Sequence, residues 1–324
     1  MRLLLLALLA LTAGARDRVA YIEFFGYQGL DPDAVRKELP FHEGDAVPPA
    51  AQAIVRAVVK RVTGKEATNV ASVCCINDGD SVLFIGLAGN SSGTFSFNPR
   101  PGQDVSLPPE LLQLTRAMDD AEDRATDRQE VDPPSGYRLM RDPKAQAAEL
   151  KVRDYARAHS LELIRVLTHA LDANQRATAA DALGYAGRSP EQIDAFVKAA
   201  HDYDDIVRNN ATRALTEILD ADAAAASMVP ATPFVEMLHS GTWTDRNKSC
   251  AVLESLTKSS DVAVLGTLKA RAWDALLEMA RWRTPSWSHD ARMILARIAG
   301  IPEDRAVTLT LAPLPEFLEA IGAK

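Results

Sequence analysis

The stretch Val207-Arg-Asn-Asn-Ala-Thr-Arg-Ala-Leu-Thr216 superimposes without gaps on three other stretches of the same chain. These are Gln175-Arg-Ala-Thr-Ala-Ala-Asp-Ala-Leu-Gly184, Asp245-Arg-Asn-Lys-Ser-Cys-Ala-Val-Leu-Glu254 and Trp287-Ser-His-Asp-Ala-Arg-Met-Ile-Leu-Ala296. The leucines that coincide are 32, 38 and 42 residues apart, namely Leu183, Leu215, Leu253 and Leu295. A small residue stands four positions before each leucine, which lets neighbouring helices approach closely. Internal repeats of roughly this period indicate a stacked repeat architecture.

An amphipathic helix precedes each of these stretches, so the predicted repeating unit is a pair of helices. The predicted first helices are Leu161–Ala170, Gln192–Ala200, Pro233–Leu238 and Leu265–Trp282. One such pair cannot bury its apolar side alone, and stacking of neighbours therefore produces an extended curved array. With caps predicted at Tyr137–Ala158 and Leu309–Ile321, the array covers residues 137–324.

The second unit resembles a HEAT repeat in Asp204-Asp205-Ile-Val-Arg208, followed by Ala211 and Ala214-Leu215. The resemblance implies an α-α superhelix, a HEAT-like solenoid, whose second helices line a concave surface. The predicted fold class is therefore mainly α, with a small α+β domain in front of the solenoid.

Helical geometry nominates residues for that concave surface. In the second unit the apolar stripe turns Asn209 and Arg213 away from the core. Carrying the register along the array completes the candidate partner-binding set, which is Asn209, Arg213, Asn247, Glu254 and His289. At the turns we expect Arg208 to pair with Asp204, and Arg176 with Asp172.

All four tryptophans lie in the last third of the chain, at positions 243, 273, 282 and 287. The stretch Trp282-Arg-Thr-Pro-Ser-Trp287 reads as a loop between helices, and exposed tryptophan beside arginine is typical of interface anchors. We therefore add Trp243 and Trp287 to the candidate partner contacts, whereas Trp273, inside a helix, is interpreted as core.

The segment before the array, residues 16–108, has the predicted order strand, helix, helix, strand, strand. The first strand starts at Val19 and ends at Gly26, and the helices are predicted over Ala34–Leu39 and Pro49–Thr63. Two β-rich runs around Asp78-Gly79 form a predicted hairpin. This order, with Gly26, Leu39 and Gly44-Asp45, resembles a POTRA module, which implies partner binding by β-augmentation at a strand edge.

Residues 109–136 are predicted to be a short helix, Glu110–Met118, followed by a charged tract, Asp119–Gly136, that is an exposed linker or a frayed helix. The linker carries many charged residues and few apolar ones, so it offers little surface to bury. Its carboxylates lack the spacing of a calcium-binding loop.

The first 15 residues have the pattern of a signal peptide: Arg2, an apolar run from Leu3 to Thr12, then Ala13-Gly14-Ala15. The pattern predicts a secreted or periplasmic protein without a stable membrane span. Adjacent Cys74 and Cys75, with distant Cys250, leave a vicinal disulfide or a bridge to Cys250 open, although free thiols are our preferred interpretation.

A formal charge of −8 gives no general electrostatic basis for binding nucleic acid. The histidines lack the spacing of a zinc site and no nucleophile motif occurs, so we expect no metal, no cofactor and no catalytic residues. The sequence favours a scaffold or adaptor for protein partners in the cell envelope. Two alternatives stay open: an enzyme or small-ligand-binding protein, since HEAT-like arrays also host alkyl-base DNA glycosylases and bilin lyases, and a purely structural envelope element.

Overall fold

A computed structural model describes residues 18–76, 79–93, 95–131, 137 and 139–323. The predicted signal peptide, Met1–Ala15, lies outside the described residues. Within them, no helix is both long and apolar enough to cross a bilayer.

The N-terminal module contains the predicted order of elements. Their bounds are β1 Val19–Phe25, α1 Pro32–Glu38, α2 Ala51–Thr63, β2 Asn69–Ile76 and β3 Asp80–Gly86. In the sheet β3 is central, pairing parallel with β1 and antiparallel with β2. One face of the sheet packs on α1 and α2 through side chains such as Ile22, Val55 and Ile85. The other face carries Phe25, Val82 and Phe84 into the core of the helical array.

Between the module and the first long helix, the chain runs as an extended strap, residues 91–93 and 95–107. The backbone N–H groups of Gly93, Asn98 and Gln103 donate to the carbonyl oxygens of His239, His201 and His169 over 2.9, 2.7 and 3.0 Å. Those three histidines occupy the turns of successive helix pairs. The strap therefore crosses the array in the direction opposite to the order of the repeats.

The predicted linker is shorter and more ordered than expected. Helix α3 spans Pro109–Asp123, and a short hairpin follows, with β4 Glu130–Val131 paired to β5 Leu139–Met140. Helix α4, Pro143–Ala158, packs against α3. The segment from Asp119, predicted to be an exposed linker or a frayed helix, is thus helical as far as Asp123, and most of its described residues are exposed. Glu130 near its end forms a 3.0 Å ion pair with Arg213.

Helix pairs then stack to the end of the chain as an α-solenoid preceded by the α+β module. The helices are α5 Ser160–His169, α6 Ala173–Gly184, α7 Pro190–Ala199, α8 Asp205–Ala221, α9 Thr232–Met237, α10 Trp243–Thr257, α11 Val262–Arg271, α12 Trp273–Ala280, α13 Pro285–Ile298, α14 Glu303–Thr310 and α15 Leu314–Ala320. A 3-10 helix, Ala223–Met228, precedes α9. The single helix predicted over Leu265–Trp282 is in fact α11 and α12, which are separated at Ala272.

Buried arginines connect each unit to the next. Arg176 binds Asp202 at 2.7 Å, and Arg208 binds Asp245 at 2.9 Å. The predicted local pairs were therefore wrong, because Asp172 and Asp204 instead cap the N-termini of α6 and α8 with their side chains.

A third arginine joins the array to the N-terminal module. Arg246 binds Glu278 of α12 at 3.1 Å, and the same carboxylate accepts hydrogen bonds from the backbone N–H groups of Gly26 and Tyr27. Trp282 Nε1 donates to the carbonyl oxygen of Phe24 over 3.1 Å. The module and the array thus share one continuous core.

The cysteines differ from expectation at one position. Cys74, on the outer strand β2, is disulfide-bonded, so the preference for free thiols was wrong there. The spacing of the cysteines in the sequence does not determine whether Cys74 lies within bonding distance of another thiol. Cys250 is free and buried, and burial raises the pKa of its thiol.

Candidate functional site

Two adjacent second helices, α8 and α10, carry matched polar stripes that line the same cavity. Positions 209, 213, 216 and 220 of α8 coincide with positions 247, 251, 254 and 258 of α10 in the repeat register. Helices α8 and α10 pack directly against each other, which places the two stripes side by side. Together they line a cavity of about 520 Å³.

We call this cavity the central groove. Its lining comprises Glu130, Asn209, Arg213, Thr216, Glu217, Asp220, Asn247, Lys248, Ala251, Glu254, Ser255, Lys258 and Asp290. Four of the residues nominated from the sequence, Asn209, Arg213, Asn247 and Glu254, are therefore brought together in one concave site.

Most charges of the groove are paired within the chain. Arg213 binds Glu130 of the β4–β5 hairpin at 3.0 Å. Lys258 lies 3.0 Å from Asp220 and 3.3 Å from Glu254. Glu254 also accepts from Arg297 Nη2 over 2.8 Å. These pairs fix the walls of the groove and leave few ionic groups available to a ligand.

Three lining groups have no hydrogen bond or ion pair among the described residues: the Asn247 amide, the Lys248 ammonium and the Asp290 carboxyl. Burial, with repulsion from Arg213 in second place, lowers the pKa of Lys248. Burial and then repulsion from Glu254 raise the pKa of Asp290 to about 6. Burial removes part of the water that would solvate these two charges. A ligand group of opposite charge would therefore stabilise the ionised form of either side chain.

His289 does not line the groove, contrary to the prediction. Its Nδ1 lies 3.1 Å from Thr310 Oγ1 at the far end of the array. The next residue, Asp290, takes the lining position instead. The repeat register itself holds in this unit, since Asp290 coincides with Lys248, but His289 contacts helix α14 instead of lining the groove.

The two tryptophans nominated as partner contacts pack inside the chain. Trp243 stacks on Phe84 with 4.6 Å between ring centroids, and Trp287 meets the same ring at 5.2 Å. Trp282 is also buried against Phe84. Trp243 is therefore buried rather than exposed, and Trp287 is partly buried, because this aromatic cluster packs on the sheet of the N-terminal module.

Sequence reasoning missed Lys248, Asp290 and Glu130. Lys248 and Asp290 coincide in the repeat register, so the alignment of the units carried a signal for both. Glu130 comes from the segment interpreted as a linker, and no sequence pattern connects it to Arg213.

The groove is suited to recognition by hydrogen bonds and charge. Asparagine amides both donate and accept, which matches the donors and acceptors of a peptide backbone. Among the described residues, no group of three or more His, Cys, Asp or Glu side chains has an arrangement that could hold a metal ion.

Comparisons with known proteins concern the array. A family model for HEAT repeats matches residues 160–232, which run from α5 into α9. An engineered protein of known crystal structure has a TM-score of 0.41 and 16% identity, with 66% of this chain and 94% of that chain covered. A designed armadillo repeat protein in complex with the peptide (KR)4 has a TM-score of 0.40 and 16% identity, covering 65% of this chain and 99% of the other. A search of curated proteins found no match.

Proposed function

We propose that this protein is a secreted or periplasmic scaffold without catalytic activity, which binds a partner polypeptide in the central groove. The observation that carries the proposal is the pair of matched stripes on α8 and α10. They place Asn209 and Asn247 at equivalent positions of adjacent units, and the Asn247 amide has no partner in the described part of the chain.

Contacts at the edge of the array formed by the turns between the helices support this choice of site. At the ends of the first helices of the first three units, backbone N–H groups of the strap donate hydrogen bonds to the carbonyl oxygens of His169, His201 and His239. At the fourth unit, the carbonyl oxygen of Phe24 in β1 accepts a hydrogen bond from the indole N–H of Trp282. Because the chain already contacts its own turn edge, we favour the central groove as the surface that receives a partner.

An oxidising, extracytoplasmic location is the part of the proposal that rests on the N-terminus. The pattern of Met1–Ala15 is that of a signal peptide. A disulfide at Cys74 agrees with this location, because disulfides persist in secreted and periplasmic proteins and are rare in the cytosol.

The N-terminal module adds a second possible contact surface. Its order of elements and its mixed sheet support the POTRA-like interpretation. Strand β2 is at the edge of the sheet, and within the described residues it pairs only with β3. We propose that this edge can receive a strand from an envelope protein.

The test is capture of partners on the immobilised protein from cross-linked envelope fractions. We expect one specific protein to be captured by the native chain and lost from the double variant Asn209→Ala and Asn247→Ala. Asn174→Ala is the matched control, because Asn174 is an exposed asparagine of α6 outside the groove. Equal capture by the double variant and the native chain would contradict the proposal, provided that circular dichroism shows both to be folded.

A further inference from the structure

A second cavity lies where the N-terminal module meets the helical array, and we call it the junction cleft. It has a volume of about 440 Å³. Its lining includes Gln28 of the module, Asn90 just before the strap, and Lys269, Trp273 and Asp274 of the array. Among the described residues it shares no lining residue with the central groove. Clefts between two folded parts of a chain are common sites for small ligands.

The segments around the junction cleft are fixed to helix α12. The Glu278 carboxylate accepts hydrogen bonds from the backbone N–H of Gln28 over 3.1 Å and from the Ser91 hydroxyl over 2.6 Å. The side-chain amide of Gln28 also donates to Asp274, one turn earlier on α12. The cleft is therefore preformed, and a ligand does not have to order these segments on binding.

Trp273 gives the cleft an aromatic surface. The rings of the other three tryptophans pack on Phe84. In the described part of the chain, the Trp273 ring contacts no other aromatic ring and no cation. It is partly buried against the core, and the rest of the side chain lines the cleft. An indole in this position offers an apolar surface to a ring-shaped ligand.

The free polar groups of the cleft belong to side chains. The Asn90 amide, the Lys269 ammonium and the Trp273 indole N–H have no hydrogen bond or ion pair among the described residues. Arg271 is bound to Glu236 at 3.3 Å, and Lys269 is exposed to solvent, so the cleft does not require a charged ligand. A hydroxyl group both donates and accepts hydrogen bonds, and it therefore matches these side chains.

The backbone of the cleft offers little to a peptide strand, which is bound mainly through main-chain hydrogen bonds. The carbonyl oxygen of Ser91 accepts from Arg246, and that of Arg271 lies 2.8 Å from Nε2 of His239. The backbone N–H of Asn90 donates to the carbonyl oxygen of Gln28. Recognition in the cleft is therefore left to side chains around an indole.

We propose that the junction cleft binds a neutral saccharide, with one sugar ring stacked on Trp273 and hydroxyl groups hydrogen-bonded to the Asn90 amide and the Asp274 carboxylate. The C–H face of a pyranose ring is apolar and flat enough to lie on an indole, while its edge carries the hydroxyls. This site is separate from the central groove, so the proposal does not depend on the polypeptide bound there.

The experiment titrates the full chain with chitotriose, cellotriose, maltotriose and mannotriose, and with a peptide of similar size, acetyl-trialanine amide. Calorimetry measures binding, and tryptophan fluorescence reports on Trp273. We expect at least one trisaccharide to bind with a Kd below about 10 mM and to change the tryptophan emission, and the peptide to do neither. Binding of none of the four trisaccharides, or equal binding of the peptide, would overturn the proposal.

Variants locate the site. Trp273→Ala should weaken trisaccharide binding about ten-fold or more, because the stacking surface is lost. Asn90→Ala should weaken it about three-fold or more through a lost hydrogen bond. The matched control is Asn174→Ala, an exposed asparagine of α6, which should bind like the native chain.

The Asn90 side chain has no hydrogen bond in the described part of the chain, so Asn90→Ala remains informative even where Trp273→Ala fails to fold. Native affinity in Asn90→Ala, or in a folded Trp273→Ala variant, would place the saccharide elsewhere and contradict the proposal.

Discussion

Asn209 and Asn247 illustrate what could be predicted from the sequence at the scale of single residues. Both follow from one helical register and one repeat alignment, and both line the central groove. The same reasoning failed at His289, which contacts Thr310 of α14. A repeat register predicts which positions are equivalent, but not which of them a neighbouring helix covers.

Arg208 shows why ion-pair partners were harder to predict than the helical positions of the residues that form them. Asp204 stands four positions before it in the sequence, the spacing of a pair within one helix, yet Arg208 binds Asp245 of the next unit. Asp204 is already engaged, since its carboxylate accepts from the N–H groups of Ile206 and Val207. A buried guanidinium needs a buried carboxylate, and stacking of the units supplies one that is remote in sequence.

Glu122 gives a prediction about pH. Burial, together with repulsion from Glu149 and Asp181, raises the pKa of Glu122 to about 7. A carboxyl whose pKa is higher in the folded than in the unfolded chain lowers stability once it is ionised. This penalty is absent below the unfolded value near 4.5 and complete above about 7. We expect Glu122→Gln to raise the free energy of unfolding by about 1–2 kcal/mol at pH 8 and to leave it unchanged at pH 4.

Urea unfolding at the two pH values measures the effect. Asp120→Asn is the control, because Asp120 lies on the same helix with an exposed side chain. It should change stability by less than about 0.5 kcal/mol at either pH. A Glu122→Gln variant that is equally or less stable than the native chain at pH 8 would show that the carboxyl is not destabilised in the folded state.

At the scale of elements, the strap was the feature that sequence reasoning could not supply. Its prolines indicated a break in regular structure, and the described residues of the strap form no helix and no strand beyond an isolated bridge between Gln103 and Ala170. However, the strap is held by the backbone atoms of three turns and by Phe97, whose ring lies 4.6 Å from the Arg208 guanidinium. Backbone hydrogen bonds between remote segments leave no periodic pattern in a sequence.

Amide hydrogen exchange tests this contact. We expect slow exchange at Gly93, Asn98 and Gln103, because their N–H groups donate to turns of the array. Arg100 and Gly102, with no such bond, should exchange rapidly. Uniformly fast exchange along the strap would contradict the described contacts.

At the scale of the whole molecule, the module and the array are one folded unit. The sequence was interpreted as a separate domain at residues 16–108, joined to a solenoid. In the structure Phe84 of β3 lies among Trp243, Trp282 and Trp287, and Glu278 binds the end of β1. Each half has its own periodicity, which made both predictable, whereas their docking depends on contacts between residues about 160 to 260 positions apart in the sequence.

Docking also explains why the exposed aromatic anchors predicted near the end of the array are absent from the concave site. The module and the strap do not cover the polar stripes of α8 and α10, which line the central groove. We therefore propose that partners bind at the central groove.

Site-specific photo-crosslinking tests that claim most directly. A photoreactive residue is introduced at Ala251, which lines the groove, and in a second variant at Val262, which is 83% exposed on α11. We expect irradiation in the native compartment to give one discrete adduct from position 251 and none from position 262. Adducts from position 262 alone, or the same adducts from both positions, would contradict the account.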